Sequence, residues 1–101
     1  MPQFDLHRYQ GRTGRARYVV DIQCDFLEQL ATRLVVPVYP VTAGLPLTRL
    51  NPIIEIDGRP HFLAVQEMAA IEKGALGEVL RSTADRRDEI IAAVDFLITG
   101  F

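Results

Sequence analysis

Few side chains in this chain are suited to covalent chemistry. Its two histidines, His7 and His61, and its one cysteine, Cys24, match none of the paired Cys or His spacings that close a zinc site. A Cys24–His61 dyad would need a local nucleophile signature, and none surrounds Cys24; the ordinary reading of an isolated cysteine is a small buried filler. Gly11 and Gly14 lack the strand-to-helix setting and the Lys-Ser/Thr partner of a phosphate loop. Asp21 and Asp25 can share a strand face, but they read more simply as carboxylates that bond backbone or face water. No metal, no cofactor and no catalytic residue is expected, and the chain reads first as a binder.

Charge narrows the partners. The net charge of −2 argues against a dedicated nucleic-acid binder, whose domain is more often strongly basic. The distribution is uneven: Arg8, Arg12, Arg15 and Arg17 stand near the start against Asp5 alone, and Lys73 is the one lysine. The flat donor fork of arginine suits carboxylates and phosphates, so this basic stretch can dock an acidic peptide; the bland alternative is a solvated hairpin tip.

The elements that must position these groups are short. At 101 residues and 49% hydrophobic, the chain is expected to be one domain, 1–101, with a modest core. No apolar run approaches the roughly 20 residues that span a bilayer, and the start lacks a signal-peptide core, so a cytoplasmic protein without membrane contact is expected. A lone cysteine agrees with a reducing compartment.

Phe4 and Leu6 alternate with polar neighbours, and Tyr18 to Ile22 resumes that pattern after Gly11 and Gly14, which predicts an N-terminal hairpin. Asp25 to Thr32 suggests a brief helical turn. Arg33 to Tyr39 is a β-branched strand in which Pro37 suits an edge or a bulge. Ile53 to Ile56 and His61 to Val65 flank Asp57-Gly58, the composition of a tight hairpin. Residues 68–77 read as a short strand or coil. So many short strands favour a closed or nearly closed small barrel.

The end of the chain is helical. Ile90, Ile91, Val94, Leu97 and Ile98 recur at helical spacing, so this stripe is expected on the core. Ser82, Thr83 and Asp85 can cap its start, and Gly100 suits a left-handed close. Thr99, Gly100 and Phe101 follow the last full turn and are either packed or presented to a partner.

Several segments together, in order and spacing, resemble the CcdB family of toxins from toxin–antitoxin modules. They are Gln3-Phe4, Val20-Asp21-Ile22-Gln23-Cys24-Asp25, Arg33-Leu34-Val35-Val36-Pro37, Pro52-Ile53-Ile54-Glu55-Ile56, Met68-Ala69 and Leu97-Ile98-Thr99-Gly100-Phe101. The resemblance implies a mainly β fold, an SH3-like small barrel with a C-terminal α-helix shared with MazF/Kid-type ribonuclease toxins. It implies a homodimer that binds the A subunit of DNA gyrase and traps the enzyme on cleaved DNA. A CcdA-like antitoxin would neutralise it, and the complex, reaching DNA only through the antitoxin, would repress its own operon.

Carried over by position, the gyrase-binding residues are Cys24, Phe26, Leu27, Asp95, Ile98, Thr99, Gly100 and Phe101, with Arg8, Arg12, Arg15 and Arg17 as the weaker antitoxin set. At two of these positions, Thr99 and Phe101, the best-known family member has tryptophan and isoleucine. Two other readings are weighed beside this one: a MazF/Kid-like endoribonuclease, for which Arg8, Arg17, His7 and His61 are the candidates, and an inactive relative kept as an antitoxin or regulatory partner.

Overall fold

The structure, a computed structural model, describes residues 2–11, 16–44 and 46–100. Among the described residues, seven antiparallel strands form one curled sheet: β1 (Asp5–Tyr9), β2 (Tyr18–Asp21), β3 (Thr32–Pro40), β4 (Ile53–Ile56), β5 (Arg59–Leu63), β6 (Ala69–Glu72) and β7 (Leu76–Ser82). The main path runs β4-β5-β3-β2-β1-β7, and β6 pairs with the first half of β3. A single helix, α1 (Arg87–Thr99), follows. The fold is mostly β, a half-barrel with one C-terminal helix. Its two outer strands are linked by a side chain, since Arg81 Nη2 donates to the Glu55 carbonyl at 2.6 Å.

The two expected hairpins form. β1 and β2 pair through Leu6↔Val20, and β4 and β5 meet around Asp57 and Gly58, whose φ values of 53° and 76° are the left-handed pair a tight hairpin needs. Pro37, by contrast, lies inside the long central strand β3, neither at an edge nor at a bulge. The side of β3 away from β2 changes partner here, from β6 at Thr32–Val35 to β5 at Val38–Pro40. The Pro37 carbonyl accepts from Ala64 on that side, so the missing N–H falls where no ladder bond is needed.

Alternation along the strands separates two layers. Leu6, Val20, Val36, Val38, Ile54 and Leu63 form the main core with Ile90 and Ala93 of the helix. Val19, Val35 and Leu76 form a smaller cluster on the other face, with Tyr9 and Ile71 against it. β7 crosses β1 with two register shifts. Gly77 is required there, because a Cβ at that position would sit 2.8 Å from the Arg8 carbonyl oxygen.

The helix departs from its expected start and phase. Thr83 Oγ1 donates to the Phe4 carbonyl and Ser82 Oγ accepts from the Ala84 amide, so neither caps α1. A 3₁₀ turn at Ala84–Arg86 intervenes, and Asp88 and Glu89 supply the negative charge of the first turn. Ile90 and Ala93 are buried, Val94 and Phe96 pack partly on the core, and Ile91, Leu97 and Ile98 are exposed. Ile90 and Ala93 are the helix residues turned to the core, which turns Ile91 and Ile98, seven residues apart and thus on one line, outward. Gly100 closes the helix at φ 78°, as its position suggests, donating its amide to Phe96.

Candidate functional site

The most exposed large apolar side chain among the described residues stands just after β2. Phe26 is 95% exposed, at the middle of a 3₁₀ turn, Asp25–Leu27, with Leu27 and Leu30 half exposed nearby. Such a ring gains nothing from its own fold, so its place must be set by the backbone beneath it.

That backbone is held by a buried ion pair. Asp21 and Arg33 are fully buried, with Arg33 Nη2 at 2.8 Å and Nε at 2.9 Å from Asp21 Oδ2. The other carboxylate oxygen, Oδ1, accepts from the Gln23 amide at 3.0 Å, and Arg33 Nη2 donates to the Gln23 carbonyl at 3.3 Å. Gln23 then carries the constraint outward: its Nε2 donates to the Leu27 carbonyl and its Oε1 accepts from the Leu34 amide, both at 2.9 Å. The turn is closed locally by the Phe26 amide donating to Cys24 Sγ and by the Gln3 amide donating to Asp25 Oδ1. Lys73 Nζ also donates to the Glu28 carbonyl.

Burial pushes the Asp21 carboxyl above its ordinary value of 3.8, against the opposing bonds from Gln23 and Arg33. His7, also fully buried, contributes a charge interaction to Asp21 and donates from Nδ1 to the Gly77 carbonyl at 3.1 Å. Two expectations are corrected here. Asp21 faces neither water nor backbone alone but a buried arginine, because β2 and β3 place it opposite Val35, beside Arg33. Cys24 is exposed and caps a turn through its sulfur, so it fills no part of the core.

The second group of residues singled out by sequence lies at the end of α1. Asp95, Ile98, Thr99 and Gly100 form its last turn, with Thr99 Oγ1 donating to the Asp95 carbonyl at 2.7 Å and Ile98 74% exposed. Phe101 lies outside the described residues. Phe96 turns from this face toward Arg49, whose guanidinium carbon is 4.3 Å from the ring centre. The Cys24–Leu27 turn and the helix end thus belong to different elements, each well ordered by its own bonds.

The arginine set divides as well. Arg8 pairs with Glu78 at 2.9 Å, an exposed bond that holds its guanidinium above the ordinary value, and lies over the Tyr18 ring. Arg17 is exposed beside Tyr18. Arg12 and Arg15 lie outside the described residues.

Of the ribonuclease candidates, Arg17 and His61 line one cleft with Tyr18, and Arg8 lies over the Tyr18 ring, whereas His7 is fully buried and bonds the Gly77 carbonyl. Among the described residues no group of three His, Cys, Asp or Glu side chains is placed to hold a metal ion, and no helix is long and apolar enough to cross a membrane.

Sequence reasoning missed Arg33, Gln23 and Leu30. A charged residue opening an otherwise β-branched run was the available signal for Arg33. In a comparison with known families, the model described as CcdB protein matches residues 3–100.

Proposed function

The chain belongs to the CcdB family, toxins of toxin–antitoxin modules, and on that premise we propose that it acts by binding DNA gyrase, with no bond made or broken by its own side chains. Two copies related by a two-fold axis present the Cys24–Leu27 turn and the Asp95–Phe101 segment to the symmetric dimerisation region of the gyrase A subunit, and hold the enzyme on cleaved DNA. A CcdA-like antitoxin relieves this in the cytoplasm, with Arg8, Arg12, Arg15 and Arg17 as its contacts, and the joint complex represses the operon.

The observation that supports the reading most is Phe26: an aromatic ring 95% exposed, on a backbone fixed by a buried ion pair. An exposed aromatic on a rigid mount is the composition of an interface anchor, since few residues supply most of the affinity and little ordering is needed on binding. Ile98, exposed at the helix end, adds a second apolar contact.

The test is size-exclusion chromatography of the purified chain with a gyrase A dimerisation fragment. Co-elution with one toxin dimer per fragment dimer is expected. Separate elution at concentrations of about 10 μM, where even a modest complex of about −8 kcal/mol is populated, contradicts the proposal.

A further inference from the structure

A cleft of about 600 Å³ opens beside the start of β2, the end of β3 and the β4–β5 turn, lined among others by Arg17, Tyr18, Tyr39, Asp57, Arg59 and His61. That volume suits one small ligand. Every other described arginine has an acceptor or, for Arg49, an aromatic ring against it. Arg17 and Arg59 alone among the described residues of this type have neither, and both line this cleft. Two exposed guanidiniums without partners, brought from separate segments to one concavity, form a site for an anion.

The remaining lining says which anion. His61 is only 7% exposed, packs edge-on against Tyr18 at a centroid distance of 5.9 Å and bonds the Arg59 carbonyl through Nδ1 at 2.9 Å. A carbonyl can only accept, so Nδ1 carries a proton, and the tautomer this selects for the uncharged imidazole has Nε2 as its acceptor. The cleft therefore offers donors for an anion, an acceptor for a hydroxyl and tyrosine rings as an apolar wall. Asp57 in the same lining opposes a second or third negative group.

We propose that this cleft binds a nucleoside monophosphate unit. The phosphate sits with Arg17 and Arg59, a sugar hydroxyl donates to His61 Nε2, and the base lies against the tyrosine wall, where stacking is tolerant of base identity. This site goes beyond the gyrase reading and uses none of its apolar contacts.

The experiment is an amide NMR titration of the full chain with adenosine monophosphate, adenosine triphosphate and inorganic phosphate. Saturable shifts centred on Tyr18, Tyr39 and His61 are expected with the monophosphate, weaker binding with the triphosphate and weaker still with inorganic phosphate. Arg59→Ala and Arg17→Ala, both at exposed positions, should each weaken the monophosphate at least tenfold while leaving the rest of the spectrum in place.

No shift at about 10 mM monophosphate overturns the proposal, since a 1 mM site is already about −4 kcal/mol. Equal affinity for inorganic phosphate, or affinity unchanged in both arginine variants, overturns it too. Gyrase is absent from the titration, so the result is independent of the gyrase reading.

Discussion

Replacing Phe26 by alanine separates an anchor from a structural residue. The ring is 95% exposed, so the folded chain loses almost no burial and stability should change by no more than about 0.5 kcal/mol. In a complex that covers the ring, an aromatic side chain buries about 150–250 Å². At about 25 cal/mol per Å² this is about 4–6 kcal/mol, an upper bound because alanine keeps its Cβ and neighbouring groups relax. Hot-spot truncations in the range of about 2–4 kcal/mol correspond to about a 30- to 700-fold loss in affinity. Calorimetric titration against the gyrase A fragment reads the affinity, and thermal melting of the free chain reads the stability. An affinity within threefold of the parent, with the melting temperature unchanged, refutes the assignment of Phe26 as anchor.

Three further expectations concern the scaffold. Arg33→Met leaves the buried Asp21 without its cation and should cost about 3–5 kcal/mol in denaturant unfolding, whereas the double variant Arg33→Met/Asp21→Leu should recover most of that loss; equal losses in both would contradict a buried pair. The Asp21 carboxyl is raised above 3.8 in the fold, so its contribution is fully present below that value and is lost as pH rises through the folded pKa. The stability of the parent minus that of Asp21→Asn should accordingly fall with rising pH above 3.8, and a difference that rises instead refutes the assigned direction. Gly77→Ala sets a Cβ 2.8 Å from the Arg8 carbonyl oxygen and should destabilise by about 1–3 kcal/mol; an unchanged unfolding midpoint would show that β1 and β7 can separate without cost.

Local signals carried the hairpins, the 3₁₀ turn after β2 and the glycine that closes the helix. Asp57-Gly58 is legible because the two left-handed residues of a tight turn tolerate few side chains. The helix was legible in extent and not in phase. Large aliphatics dominate a periodicity reading, so Ile91, Leu97 and Ile98 outweighed Ala93, although the small residue is one of the two that the helix buries.

Long-range pairing was harder to see. Asp21 and Arg33 are twelve residues apart and meet only because β2 and β3 register Asp21 against Val35. β7 was obscured for a related reason: its pairing with β1 is interrupted twice, so no strict alternation marks it. In the candidate site, Cys24, Phe26, Leu27, Asp95, Ile98, Thr99 and Gly100 are exposed, and the network through Gln23 that holds the Phe26 turn was visible only in three dimensions.

The most direct measurement of the central claim incubates the purified chain with gyrase, ATP and supercoiled plasmid, then releases trapped breaks with detergent and protease. Linear DNA should accumulate only when chain and gyrase are both present, and should fall sharply with Phe26→Ala. Plasmid that stays uncut with both present, or nucleic acid cleaved by the chain without gyrase, would contradict a protein that works by grip alone.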